Sequence, residues 1–201
     1  VLETVFAALE GGAKVVQYRE KSLSYADRRM IAGHIKSMQS IYNFIFIIND
    51  DPVLARDIGA DGVHLGQKDL KKASYAQARA LLGDDKIIGI SASTINEAQR
   101  AVQDGADYVS IGPIYRTSTK LDGDKPCGLD LVEKVRKRMD EGSLKRIPIS
   151  VIGGLNMSNY GDAIKAGADL ICMIQPVLQH NNISYIIETI KQRVDILNRR
   201  I

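Results

Sequence analysis

The chain has 201 residues, 45% hydrophobic and 25% charged, an ordinary globular composition. Its 27 basic and 24 acidic residues leave a net charge of +3, too mild an excess to argue for nucleic acid or a membrane surface. Cys127 and Cys172 are the only cysteines and form no CxxC pair, which argues against a disulfide framework or a zinc site; no apolar run approaches the ~20 residues that span a bilayer, and no signal peptide opens the chain, so the expected location is the cytoplasm.

In chain order, an amphipathic stretch at 2–10 reads as a helix with no strand before it. Gly12-Ala13-Lys14-Val15-Val16-Gln17 follows, the least regular copy of a phrase that recurs three times. A helix is predicted over 24–39 and an apolar run over 44–48. The second copy, Gly59-Ala60-Asp61-Gly62-Val63-His64, precedes a helix at 75–82 and an apolar run at 87–90. A helix at 96–103 leads to the third copy, Gly105-Ala106-Asp107-Tyr108-Val109-Ser110. After a polar loop between 116 and 128 come a helix at 129–139, a run at 147–152 and a helix at 160–166. The fourth copy, Gly167-Ala168-Asp169-Leu170-Ile171-Cys172, precedes a last helix at 185–197.

Each repeated glycine stands where a helix must close, because glycine accepts positive φ without a Cβ penalty. The apolar run after it reads as a buried parallel strand. Alternating strands and helices mean an α/β fold with a parallel sheet. From Gly12 to Gly59 is 47 residues and from Gly59 to Gly105 is 46, about two βα units each; from Gly105 to Gly167 is 62, which places an extra loop there. Seven strands are visible. The expectation is a single (β/α)₈ TIM barrel domain over 1–201, N-terminally incomplete because its first strand lies upstream; an open doubly wound sheet is the alternative.

In such a barrel the active site lies at the C-terminal ends of the strands. The unusual polar residues sit there: Gln17, Arg19 and Lys21; Asn49, Asp50 and Asp51; Gln67 and Asp69; Ser91 and Ser93; Thr117, Thr119 and Lys120; Gly153 and Gly154; and Gln175. Arg19, Lys21 and Lys120 supply positive charge, while Asp50 and Asp69 supply hard oxygen ligands. Mg²⁺ is held by one or two carboxylates plus substrate phosphates, so the set reads as a Mg²⁺–diphosphate site. Gly153-Gly154 suggests a second anion site, since glycine lets backbone approach a ligand. Taken singly, each feature has a plain reading. Asp50-Asp51-Pro52 is a turn and helix start, Arg19-Glu20-Lys21 a solvated charge cluster, and Gly153-Gly154 a turn. His64 reads as a satisfied barrel histidine, and His34 and His180 as surface residues.

On these residues the chain resembles thiamine-phosphate synthases over nearly its whole length. The matching segments are 16–21, 48–50, 59–69, 89–91, 105–113, 117–120 and 152–154. The resemblance implies a transferase of thiamine biosynthesis that joins a pyrimidine diphosphate to a thiazole phosphate with Mg²⁺ and releases pyrophosphate. It implies that Gln17, Arg19, Lys21, Asn49, Ser91 and Lys120 hold the pyrimidine diphosphate, with Arg19, Lys21, Ser91 and Lys120 as the catalytic set. Asp50 and Asp69 would hold the metal. Thr117, Thr119, Gly153 and the backbone around Ile174 and Gln175 would hold the thiazole phosphate. It also suggests a homo-oligomer. Three departures stand out: Ser93 where the family often has His, Gln175 where Ser is usual, and Asp51 where Arg is common, which adds negative charge beside the metal site. A thiazole tautomerase on a similar barrel and a catalytically silent, precursor-binding barrel are the competing readings; Pro113, Asp50 and Asp69 favour the synthase.

Overall fold

The computed structural model describes residues 1–68, 70, 74–117 and 125–198. The chain forms two compact units, residues 1–88 with 180–191 and residues 89–179 with 192–201. The first unit contains α1 (Leu2–Glu10), β1 (Val15–Tyr18), α2 (Tyr25–Ser37) with a 3₁₀ turn at Met38–Ser40, β2 (Ile45–Asn49), α3 (Pro52–Asp57), β3 (Gly62–Leu65), α4 (Tyr75–Leu82) and the start of β4 (Ile87–Ala92). The second holds the rest of β4, then α5 (Ile95–Asp104), β5 (Tyr108–Ile111), α6 (Leu129–Asp140), β6 (Ile149–Ile152), α7 (Tyr160–Lys165), β7 (Leu170–Cys172) and α8 (Gln175–Leu178). The closing helix α9 (Ile183–Asn198) begins among residues of the first unit.

β1 pairs with β2, and β2 with β3, in parallel; Val16 stands opposite Phe46 and Asn49 opposite His64. β4 with β5, β5 with β6 and β6 with β7 are parallel too, and strand order follows chain order. This is the TIM-barrel-like α/β fold the repeat spacing predicts. Phe46, Ile47 and Ile48 of β2 are all buried, because a parallel strand is covered on both faces. Phe46, Ile48, Val63 and Leu65 pack with Ala32 and Ile35 of α2 and with Leu54 and Ala55 of α3.

The repeated phrase has one geometry four times. Gly12, Gly59, Gly105 and Gly167 all have positive φ, between 65° and 102°. The alanine after each donates its N–H to the carbonyl five residues back at 2.9–3.1 Å, closing the helix in a Schellman turn. The aspartate of the second and fourth copies does something the sequence did not disclose. Asp61 Oδ2 accepts the Phe46 N–H at 2.7 Å and the Gln39 amide at 2.6 Å, while Lys36 Nζ lies 3.4 Å from Oδ1. Asp169 Oδ2 accepts the Ile149 N–H at 2.7 Å and is ion-paired with the buried Arg136, which also donates to the Gly167 carbonyl. Each aspartate ties the first residues of one strand to its neighbour.

Some boundaries move. The run predicted over 147–152 becomes strand only from Ile149; Pro148 has no N–H, although its carbonyl accepts from Val109 at 3.1 Å. The first run shifts to Ile45–Asn49, and β4 extends to Ala92. The short helices α3 and α8, both with proline in their first turn, are not among the predicted helices, being too brief to show periodicity. Cys172, at the end of β7, is half-buried, and burial pushes its thiol pKa up to about 11. Much of the polar loop between 116 and 128 lies outside the described residues.

Candidate functional site

In the first unit the strand ends bring charges together. β1 alternates, so the Tyr18 ring is buried while Gln17 and Arg19 are exposed. Lys21 Nζ lies 2.8 Å from Asp50 Oδ2, and the Asp50 side chain is only 19% exposed. Asp50 follows β2 with φ +65°, the one non-glycine residue at positive φ among those described. Its N–H donates to the His64 carbonyl at 2.8 Å, which fastens the β2 end to β3. A left-handed non-glycine residue costs about 1 kcal/mol or more and persists only where its surroundings over-determine it; such residues cluster at functional sites. His64 is buried, and that burial, opposed by the Asp50 charge, pushes its pKa down to about 4, so it is neutral near pH 7.

Asp51 is not a loose negative charge beside Asp50. Its Oδ1 accepts the Leu54 N–H at 2.9 Å, capping α3, and its Oδ2 pairs with Arg28 Nη1 at 3.0 Å. The negative charge expected of Asp51 beside Asp50 is thus paired with Arg28, and Asp51-Pro52 does start a helix. Arg28 was invisible as a site neighbour in the sequence, because nothing distinguishes it from other charges on an amphipathic helix. Asp69, the second expected metal ligand, lies outside the described residues.

In the second unit Ser91 stands near the end of β4, half-buried and opposite Ser110 of β5. Ser93 donates its N–H and hydroxyl to Glu97 Oε2 at 2.7 and 2.9 Å, inside the capping box that starts α5. The pattern Thr94-x-x-Glu97 was the available signal for it. The Gly112–Pro113 bond is cis, and Ile114 and Tyr115 donate to the Ile152 and Gly153 carbonyls at 2.9 and 3.0 Å. Gly153 and Gly154 have φ of +98° and +66°. A Cβ on Gly153 would fall 2.5 Å from Pro113 Cβ, and one on Gly154 2.6 Å from Tyr115 Cβ. The glycines are thus required sterically by the neighbouring loop, whatever else they bind. Thr117 is half-buried, Ile174 caps α8 and the Gln175 side chain is exposed. Cys127 donates Sγ–H to the Pro113 carbonyl at 3.3 Å, and burial raises its pKa. Thr119 and Lys120 lie outside the described residues.

Among the described residues no three His, Cys, Asp or Glu side chains group as a metal cluster. Asp50, paired with Lys21, is a hard oxygen donor, and Mg²⁺ is commonly held by one or two such carboxylates while substrate oxygens and water complete its shell. No helix of the described residues is long and apolar enough to cross a membrane.

Residues 1–177 match the family model for thiamine monophosphate synthase. The thiamine-phosphate synthase of Clostridium novyi is 40% identical over 181 residues, 90% of this chain and 84% of that one. Its counterpart from Methanospirillum hungatei is 42% identical over 171 residues, 85% and 79% of the two chains. The solved thiamine phosphate pyrophosphorylase of Pyrococcus furiosus superposes with a TM-score of 0.84 at 28% identity, covering 98% of this chain and 90% of that one.

Proposed function

The chain belongs to the thiamine-phosphate synthase family, transferases that act on pyrimidine and thiazole substrates, and from that premise we propose how its residues divide the work. The substrates are 4-amino-2-methyl-5-hydroxymethylpyrimidine diphosphate and 4-methyl-5-(2-hydroxyethyl)thiazole phosphate. The C–O bond to the diphosphate breaks first and its electron pair leaves with the diphosphate. The thiazole nitrogen then donates its lone pair to the pyrimidine methylene carbon, forming the new C–N bond, and no proton need move. Such chemistry asks the protein for charge stabilisation and positioning rather than for a general base.

Arg19 and Lys21 meet the negative charge that grows on the departing diphosphate, with Lys120 assigned the same role. Gln17, Asn49 and Ser91 orient the pyrimidine diphosphate through hydrogen bonds. Asp50, with Asp69, holds Mg²⁺, which when bound supplies further positive charge to the diphosphate oxygens. Thr117, Thr119, the Gly153 backbone and the backbone at Ile174 and Gln175 receive the thiazole phosphate. The observation that carries this reading is the Lys21–Asp50 pair at 2.8 Å on a left-handed Asp50 backbone: a cation and a carboxylate held together at a strand end at some cost.

The test is a coupling assay with both substrates, scoring thiamine phosphate and pyrophosphate. Equal amounts of the two products with Mg²⁺, loss with EDTA and recovery on adding Mg²⁺ back are expected. Full turnover in EDTA would remove the metal from the proposal.

A further inference from the structure

Asp50 is held from two sides. On its N-terminal side the backbone N–H is fixed to the His64 carbonyl at 2.8 Å. On its C-terminal side stands Asp51, whose two carboxylate oxygens are spent on different partners, the Leu54 N–H at 2.9 Å and Arg28 Nη1 at 3.0 Å. Arg28 is itself placed by its surroundings: it lies in the first turns of α2, about four-fifths buried, 5.7 Å above the Tyr25 ring. Asp51 therefore cannot rotate to relieve the φ +65° of Asp50 without breaking both a helix cap and an ion pair. A strained residue keeps its conformation only while such neighbours hold it.

Resting on the reading of Asp50 as a metal ligand, we propose that Arg28 is a positioning residue: acting through Asp51, it holds the Asp50 carboxylate in the orientation that receives the divalent cation. The ion pair also cancels the charge of Asp51, so that a carboxylate adjacent to Asp50 does not draw the cation away from it. Without Arg28 the cap on α3 persists, but Asp51 is tethered at one oxygen only, and Asp50 can relax toward ordinary backbone angles.

The experiment measures Mn²⁺ binding by electron paramagnetic resonance, with inorganic pyrophosphate present, alongside thermal unfolding and the KM of each substrate. Arg28→Ala should weaken Mn²⁺ binding by roughly three- to tenfold, or ~0.7–1.4 kcal/mol, and raise KM for the pyrimidine diphosphate while leaving KM for the thiazole phosphate within twofold. Arg28→Gln, closer in size, serves if the alanine variant folds poorly. Arg28→Lys should recover much of the binding, because a single donor reaches Asp51. Asp51→Ser keeps an oxygen for the Leu54 N–H but gives Arg28 no carboxylate, and should behave like Arg28→Ala. If Arg28→Ala or its glutamine counterpart lowers the melting temperature yet leaves Mn²⁺ affinity and both KM values unchanged, Arg28 is a structural residue and the inference is overturned. Asp50→Asn is the control for the premise. If it too binds Mn²⁺ normally, the metal reading falls and takes the inference with it; if it loses Mn²⁺ while Arg28→Ala does not, only the inference fails.

Discussion

β2 and β3 carry an aspartate at each end, and the two could hardly be treated more differently. At the N-terminal end, Asp61 accepts from a backbone N–H and a glutamine amide and lies beside a lysine, all from its own unit. Its backbone leads directly into the ordinary strand β3. At the C-terminal end, Asp50 sits in a left-handed conformation beside Lys21. One carboxylate has its hydrogen-bonding capacity consumed by the fold; the other is kept at a conformational cost. Asp169 in the second unit repeats the first arrangement with Arg136. The contrast separates aspartates that hold the strands together from the aspartate that the strands hold up for something else.

The sharpest way to break this comparison is to neutralise each carboxylate in turn. Asp50→Asn, which keeps a residue tolerant of positive φ, should reduce kcat/KM by roughly 10²-fold, or ~2.7 kcal/mol of transition-state stabilisation, with little change in urea midpoint. Asp61→Ala should do the reverse. It strands the Phe46 N–H in a buried setting and should cost about 2 kcal/mol of stability, read from urea unfolding, with kcat/KM per folded molecule unchanged. Comparable activity losses in the two variants would dissolve the distinction.

The pH dependence of stability offers a finer test. Burial pushes the Asp61 carboxyl up, but the Phe46 N–H, the Gln39 amide and the Lys36 charge outweigh it and set its pKa below the usual carboxylate value. The stabilisation is then fully present above the unfolded value of ~3.9 and is lost as pH falls through the lower folded value. Asp61→Asn should flatten the stability curve in that acid window relative to the parent protein, measured by unfolding at stepped pH. Equal slopes would mean that Asp61 is not held ionised by the fold.

The smallest effect is expected at Gln175, whose side chain is exposed at the start of α8. If backbone groups carry the phosphate contact, Gln175→Ser should change KM for the thiazole phosphate by less than tenfold, or ~1.4 kcal/mol. A larger fall would assign the missing hydroxyl a direct role.

From the residue pattern alone came the α/β class, the order of the strands and of the longer helices, and the strand ends at which Gln17, Arg19, Lys21, Asn49 and Asp50 stand in the first unit and Ser91 in the second. These follow from local rules: glycine closes a helix because it accepts positive φ, and a short apolar run between amphipathic stretches reads as a buried parallel strand. All four repeat glycines have the predicted left-handed angle. What tertiary structure alone decided is which polar residues are partnered, and by whom. Asp51 stands next to Asp50 in the chain, yet Arg28, 23 positions away, neutralises it. Asp61 recurs in a motif that reads as strand-leading, yet its carboxylate binds the N–H of Phe46, 15 positions away. Gly153-Gly154 has a steric necessity set by Pro113 and Tyr115. Local propensity acts over a few residues, so it is legible in a string of letters. Hydrogen bonds and ion pairs act through space over about 3–4 Å, and only the folded chain determines which distant residues come that close.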